Sequence, residues 1–137
     1  MTKNERLQHH LKTIRMLLGK TTEEFGNAIG VTKQTVSNYE KNEVKISSMA
    51  YIAVRTMIDV LTAQIPDKDL RAFIVWYISM YVDGESTEDI ELVNALATAM
   101  YELGFVEPIR EWVKKQVPDL EKYYDTEVKL PWLKSNV

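Results

Sequence analysis

The 137-residue sequence contains no cysteine, which excludes disulfide frameworks, thiolate metal sites and cysteine nucleophiles. Its longest apolar run, from Ala72 to Val82, has eleven residues including a serine and is too short to span a bilayer. The opening segment MTKNERLQHHLK is polar and charged and lacks the apolar region of a secretory signal. These absences predict a cytoplasmic protein with no membrane partner.

Arrangements that carry catalysis or bind cofactors are also missing. No Ser/His/Asp, Cys/His or paired-carboxylate set has a usable context, and no glycine-rich phosphate loop is present. His9 and His10 are adjacent and point in different directions, so we expect surface residues rather than a metal pair. The six methionines and three tryptophans are interpreted as core residues rather than as the lining of an effector pocket. We therefore expect no enzyme activity, no cofactor and no metal site.

Helical periodicity is the dominant pattern that is present. A hydrophobic fraction of 45% is enough for a core, and the sequence has neither the alternation typical of strands nor an internal repeat. Apolar residues recur at helical spacing in about seven segments. The first predicted helix runs from Thr2 or Asn4 to about Leu18. The pattern predicts an all-α fold.

The stretch Thr21–Glu40 predicts two short helices joined by a tight turn. Thr21 is suited to cap the first helix, with Glu24 closing a capping box. Gly30 follows that helix, where the chain often needs a positive φ, and Thr32 caps the second. A short helix with a hydrogen-bonding outer face, held on a small packed pair, is typical of a helix-turn-helix. The second helix is predicted to bury Val36 and Tyr39 and to expose Lys33, Gln34, Thr35, Ser37 and Asn38.

Further helices are predicted downstream of this unit. The polar connection KNEVK contains Asn42, which tolerates a left-handed conformation. A helix beginning at Ser47 or Ser48 is apolar nearly all round, so it needs cover from the rest of the chain or from a second subunit. The remaining predicted helices run from Asp67 or Asp69 to about Val82, from a Ser86 cap with Asp89 at the box position to a stop at Gly104, and from Ile109 to Gln116. A loosely packed tail with Leu130, Trp132 and Leu133 is expected to follow.

Charge is distributed unevenly along the chain. The net charge is -3, but residues 1–45 carry eight basic and five acidic residues, whereas residues 66–137 carry eight basic and fourteen acidic ones. A basic N-terminal part on an acidic partner suits local phosphate binding without indiscriminate attachment to polyanions.

The run IRMLLGKTTEEFGNAIGVTKQTVSNYEKN, followed after a polar loop by a hydrophobic helix, resembles the Xre family of Cro/C1-type helix-turn-helix proteins, which includes phage repressors and bacterial regulators. The resemblance covers about Leu7 to Leu61. It implies a lambda-repressor-like headpiece over residues 1–64 and leaves residues 65–137 as a C-terminal helical extension. Several positions match together: Arg15, Thr21, Phe25 (where the family has Leu), Gly30, Val31, Ser37 and Glu40.

The resemblance also implies which residues contact double-stranded DNA. The first residues of the second motif helix enter the major groove, where Gln or Asn bonds adenine and Lys donates to guanine. Thr35 is expected at a thymine methyl or at a phosphate. The implied base contacts are Lys33, Gln34 and Asn38 with Thr32 and Ser37 adjacent, and the implied phosphate contacts are Thr22, Thr35, Lys41, Asn42 and Lys45.

In the family, an arginine of the first helix pairs with the glutamate that ends the second motif helix, which implies a pair between Arg15 and Glu40 here. Three positions depart from the family pattern. Gly26 stands where Ala is usual, which either costs helix propensity or permits closer helix packing. Asn42 replaces a common loop glycine, and Ile46 stands where proline often precedes the next helix.

Family members commonly bind as two-fold dimers, so we expect the extension to dimerise the protein. The interface candidates are the open side of the fourth helix and the aromatic fifth helix. The candidates on the fifth helix are Phe73, Trp76, Tyr77 and Met80.

The function expected first is a sequence-specific transcriptional regulator, in particular a repressor. The alternative is an antitoxin-like protein that masks a partner protein and regulates its own gene through the headpiece.

Overall fold

A computed structural model describes residues 1–104, 106–117 and 119–124. The architecture in these residues is all-α, as predicted, and no strand occurs among them. A π-helical turn, Ser79–Asp83, directly follows the fifth helix, and a 3-10 turn spans Leu120–Tyr123. The α-helices are α1 (Lys3–Leu17), α2 (Thr22–Ile29), α3 (Lys33–Glu40), α4 (Ser48–Ala63), α5 (Lys68–Ile78), α6 (Ile90–Leu103) and α7 (Val106–Gln116).

The first four helices begin at side-chain caps that the sequence encodes locally. Thr2 and Thr21 each form a complete capping box, with Glu5 and Glu24 respectively. Thr32 accepts a hydrogen bond from the backbone N–H of Thr35 at the start of α3. Ser47 caps α4 in the same way. The predicted helix starts in the headpiece are confirmed. They could be predicted from the sequence because each start depends on a few neighbouring residues.

The connection before α6 differs from the prediction. Ser86 does not cap this helix; the N-cap is Asp89, which has a left-handed backbone (φ 55°) and makes no side-chain capping bond. The reason is the π-helical turn, onto which the following loop folds back. The backbone N–H of Ser86 donates to the carbonyl of Met80, 3.0 Å away, and the Tyr81 hydroxyl donates to the carbonyl of Glu88. The helix therefore starts only at Ile90.

The last predicted elements are also shifted. Helix α7 begins at Val106 rather than at Ile109. The expected tail packing of Leu130, Trp132 and Leu133 lies outside the described residues.

Helix α1 lies in the centre of the hydrophobic core. Its residues Leu7, Leu11 and Ile14 are fully buried. It contacts α3 and α4 on the headpiece side, and α6 and the π-helical turn on the extension side. A hydrogen bond reinforces the contact between α1 and α6: the Thr13 hydroxyl donates to Asn94 Oδ1 at 2.6 Å. The predicted boundary at residue 64 thus separates elements that share one core.

His10 belongs to this shared core, and the expectation of a surface position is wrong for it. The residue is 8% exposed, and its Nδ1 lies 3.0 Å from the hydroxyl oxygen of Tyr77. Burial and, secondarily, the charge of His9 lower the pKa of His10 to about 4. His9 is exposed, as expected. The buried face of α1 is wider than the spacing of its apolar residues indicated, and it includes His10 beside Leu11.

The aromatic residues of α5 divide between core and surface. Phe73 and Tyr77 are fully buried inside the chain itself, so the expectation that they form a dimer surface is wrong for this conformation. Tyr77 is held by His10, and the Phe73 ring stacks on Trp76 at a centroid distance of 5.5 Å. Trp76 is half-buried and Met80 is exposed. Only the last two remain accessible to a second molecule.

Helix α4 is only partly covered, although nearly every side of it is apolar. Its inner residues Val54 and Ile58 are buried, whereas Met49 and Ile52 are exposed. Arg55 ties it to the π-helical turn through a two-point ion pair with Asp83, with N–O distances of 2.7 and 2.9 Å. No helix in the described part of the chain is long and apolar enough to cross a membrane.

Candidate nucleic-acid interface

The turn between α2 and α3 is tight because two glycines allow the backbones to approach. Gly30 ends α2 with φ 80°, a left-handed conformation that disfavours other residues. Gly26, one turn earlier, faces the backbone of the turn: a Cβ atom added there would lie 2.7 Å from the carbonyl oxygen of Val31. The glycine at this position therefore permits the close packing that Ala would obstruct.

Helix α3 is fixed to the core by one face and presents the other to solvent. Val36 is fully buried and Tyr39 nearly so. Among the residues predicted to contact bases, Thr32, Lys33 and Gln34 are exposed, and Ser37 and Asn38 are half-buried. These five residues share one short helix and its N-cap, so the structure brings them together on a single polar surface.

The polar groups on this surface form two local pairs. The Gln34 side-chain amide donates from Nε2 to Oδ1 of Asn38, 2.9 Å away and one helical turn later. The hydroxyls of Thr32 and Thr35 lie 3.0 Å apart. Each pair reduces the rotamer freedom of its members, and the groups left over remain free to donate or accept. Such an array of amide, hydroxyl and ammonium groups matches what base edges in the major groove require.

Arg15 and Glu40 fix the far end of α3 to α1. Their two hydrogen bonds measure 2.9 Å from Nε to Oε2 and 3.0 Å from Nη2 to Oε1. A third guanidinium bond, 2.8 Å long, goes from Nη1 to the carbonyl of Lys20, just before α2. One side chain thus connects α1, the start of α2 and the end of α3. This connection sets the tilt of α3 relative to the remainder of the headpiece.

Gln8 is a positioning residue that the sequence analysis missed. Its amide donates to the carbonyls of Tyr39 and Val44, at 3.0 and 2.6 Å, and accepts from the N–H of Ile46 at 3.0 Å. These bonds hold both ends of the loop after α3. A polar residue beside Leu7 gives no local signal of this role, because its partners lie 31 to 38 residues away.

The residues expected to contact phosphates lie at both ends of the motif. At the start of α2, Thr22 is half-buried beside the Thr21 cap. In the loop after α3, Lys41, Asn42 and Lys45 are exposed, and Asn42 has the left-handed backbone that was predicted (φ 58°). Thr35, in the first turn of α3, is half-buried with its hydroxyl at the Thr32 cap.

The ionisable side chains in the first turn of α2 are acidic. Hydrogen bonds from the backbone and then the side chain of Thr21 lower the pKa of Glu24, which keeps this carboxylate ionised at the helix terminus. Glu23 stands beside it in the same turn. Lys41 and Lys45, the cationic residues predicted to contact phosphates, lie at the other end of the motif.

Other chemistry has little support in the described ranges. Within residues 1–104, 106–117 and 119–124, no three His, Asp or Glu side chains come close enough together to hold a metal ion. Two open clefts of about 280 Å³ each lie on the described surface. One of them lies beside His9, His10 and Tyr81. Neither cleft presents a nucleophile paired with a base.

Comparison with known proteins agrees with the geometry. Residues 11–53 match the helix-turn-helix family model. No curated protein matches the chain, and no solved structure matches it. The matched range contains α2, α3 and the Arg15–Glu40 pair and ends within α4. Residues 11–53 are therefore similar to Cro/C1-type helix-turn-helix domains, which supports an Xre-like DNA-binding protein.

Proposed function

We propose that this protein is a sequence-specific transcriptional regulator, a repressor that binds a near-palindromic operator as a dimer through α3. The observation that carries the proposal is the orientation of α3. Its apolar face is locked into the core, its end is tied down by Arg15, and its polar face is open to solvent. A helix held in this manner keeps its side chains in register with the major groove.

Base recognition is assigned to Lys33, Gln34 and Asn38, with Thr32 and Ser37 beside them. An amide side chain pairs with adenine N6 and N7, and a lysine donates to guanine O6 and N7. The Gln34–Asn38 hydrogen bond supports this assignment because it holds both amides on one face before DNA arrives. Pre-ordering of this kind reduces the entropy cost of binding.

Phosphate contacts are assigned to Thr22 and Thr35 and to the loop residues Lys41, Asn42 and Lys45. Such contacts supply affinity and set the register on the duplex but carry no sequence information. The Gln8 clasp supports the assignment of the loop, since it limits the positions that these side chains can adopt.

Dimer formation is part of the proposal because a single headpiece buries too little surface for tight, specific binding. Trp76 and Met80 remain accessible on the extension, and α4 adds the exposed Met49 and Ile52. Exposed apolar residues in a folded chain favour association. Sedimentation that showed only a monomer at high micromolar concentration would contradict this part of the proposal.

Selection of bound duplexes from a random DNA pool tests the proposed function. We expect a recovered palindrome whose half-sites lie about 34 Å apart, one helical turn of DNA. A matched selection with a Lys33→Ala, Gln34→Ala, Asn38→Ala variant is expected to lose the consensus while keeping its fold by circular dichroism. Enrichment of the same consensus by this variant would show that these three residues of α3 do not recognise the bases. No enrichment by the wild-type chain would contradict specific binding.

A second candidate function is the antitoxin-like one, in which the acidic extension masks a partner protein while the headpiece regulates transcription. The observation that favours it is the exposed apolar stripe along α6, which includes Leu92 and Leu103. Co-purification of one small protein from the native host, in a fixed ratio to this chain, would support this candidate over a regulator that acts alone.

A further inference from the structure

Within the described part of the chain, helix α6 has one face that packs on other residues and one apolar face that remains open. Val93, Ala97 and Met100 are buried against the rest of the chain. The adjacent stripe is exposed or half-exposed: Leu92 is 43% and Leu103 64% accessible, and Leu96 and Ala99 are half-buried between them. We call these four residues the α6 stripe. Their spacing of four, three and four residues places them on one side of the helix, over a length of about 16 Å.

Helix α6 and the loop before it carry charge of a single sign. Residues 84–104 contain five carboxylates and no lysine, arginine or histidine. Glu91 and Glu102, both exposed, are adjacent in sequence to the two leucines at the ends of the stripe. A partner surface that fits here must therefore cover apolar side chains and also neutralise carboxylates at both ends of the stripe.

This combination disfavours two possible occupants. A second copy offers no lysine, arginine or histidine within residues 84–104 to pair with Glu91 and Glu102, and in an antiparallel arrangement it brings these glutamates against each other. Like charges brought together at an interface oppose association. DNA is disfavoured for the same reason, because its phosphates would meet carboxylates.

From the stripe and its charges we infer that α6 is the docking surface for a basic amphipathic helix of a partner protein. The partner places its apolar residues along the α6 stripe and its lysines or arginines against Glu91 and Glu102. A helix laid against a helix with apolar residues at this spacing is an established mode of recognition. The inference deepens the second candidate function, on whose partner protein it rests, and is independent of base recognition by α3.

The test uses the full chain and three synthetic peptides of about 18 residues, a length that supports a helix. The basic peptide has leucines at heptad spacing flanked by lysines. The acidic peptide has the same leucines flanked by glutamates, and the third peptide is a scrambled form of the basic one. Fluorescence anisotropy is expected to show saturable binding of the basic peptide, with binding of the other two at least about tenfold weaker.

Variants of the chain locate the bound peptide. Leu92→Ser with Leu103→Ser is expected to weaken binding of the basic peptide by about tenfold or more. Glu91→Gln with Glu102→Gln is expected to remove most of its salt dependence. The matched control, Val44→Ser in the loop after α3, replaces an exposed apolar residue far from α6 in sequence and is expected to leave binding unchanged. All three variants replace exposed residues, so unchanged circular dichroism and melting temperature are required of each.

Several outcomes would overturn the inference. They are no binding of the basic peptide, equal binding of the basic and acidic peptides, and undiminished binding to the Leu92→Ser, Leu103→Ser chain. A wild-type dimer that this leucine variant converts to a monomer in sedimentation would place a second copy on α6 instead. DNA selected from the random pool serves as a separate readout, since its binding is expected to survive the leucine substitutions whether or not the peptide binds.

Discussion

The Arg15 guanidinium and the Glu40 carboxylate form a two-point ion pair at 2.9 and 3.0 Å, with both side chains only 7% exposed. The residues lie 25 positions apart in the sequence. The pair links α1 to the last residue of α3 and so controls the angle at which the polar face of α3 is presented. An ion pair so well removed from water depends on both partners, because either charge left alone would be buried without compensation.

Glu40→Gln is therefore expected to lower the free energy of unfolding by about 3 kcal/mol, measured by urea denaturation. Glu43→Gln, in the exposed loop three residues later, is the matched control and is expected to change it little. The double variant Arg15→Met, Glu40→Leu is expected to be more stable than Glu40→Gln alone, because it leaves no unpaired charge. Equal losses in the single and double variants would contradict this account.

Gly26→Ala is expected to destabilise the headpiece even though alanine has the higher helix propensity. The added methyl group would lie 2.7 Å from the Val31 carbonyl oxygen, so the turn would have to shift. We expect a loss of about 1–3 kcal/mol, which exceeds the propensity gain of about 1 kcal/mol. Asn27→Ala, at the exposed next position of α2, provides the control and should be neutral or stabilising. A higher melting temperature for Gly26→Ala would refute the proposed clash.

Gln8→Leu is expected to affect both stability and DNA binding. The variant leaves the carbonyls of Tyr39 and Val44 and the N–H of Ile46 without their side-chain partner. We expect a loss of about 2–3 kcal/mol in the free energy of unfolding, and weaker binding to the selected DNA because the loop with Lys41 and Lys45 is released. Lys12→Ala, at an exposed position of α1, is the control. Undiminished affinity in a titration of folded Gln8→Leu would separate the clasp from DNA binding.

His10 is expected to make stability depend on pH in the mildly acidic range. Its folded-state pKa is lowered to about 4 from an ordinary value of 6.5, so the unfolded chain takes up the proton first. The stabilisation is full above the unfolded value and is lost as the pH falls from there towards the folded value. Between about pH 7 and pH 4.5 we expect a loss of about 2 kcal/mol from this residue, measured by urea denaturation.

Two variants distinguish His10 from the other titrating groups. His10→Gln keeps a hydrogen-bonding group near Tyr77 and is expected to flatten the pH dependence by the amount assigned to His10. His9→Gln, at the exposed neighbouring position, is expected to retain it. Identical pH profiles for the two variants would show that His10 is not the responsible group.

Gln34→Ala is expected to cost about 1–3 kcal/mol of specific DNA binding with no change in melting temperature. The reason is that Gln34 is exposed and bonds only to Asn38 among the described residues, so the fold does not depend on it. A gel-shift titration on the selected DNA measures the loss. Affinity equal to that of the wild-type chain would remove Gln34 from base recognition.

The sequence alone was sufficient for features that depend on neighbouring residues. Thr21 with Glu24, the left-handed Gly30 and Asn42, and the polar face of α3 are each encoded within a few positions, where capping and helical periodicity operate. At these positions, the predictions made from the residues and from the family resemblance agree with the structure. The match over residues 11–53 falls on this same part of the chain.

The tertiary structure decided which side chains of the longer helices are covered. The burial of His10, Phe73 and Tyr77, the Gln8 clasp and the uncovered α6 stripe all depend on partners far away in sequence. A helical pattern shows that an apolar face exists but not whether the same chain or another molecule covers it. The sequence therefore determined the DNA-binding unit, and only the packing of the extension onto α1 determined which surfaces remain open for a partner.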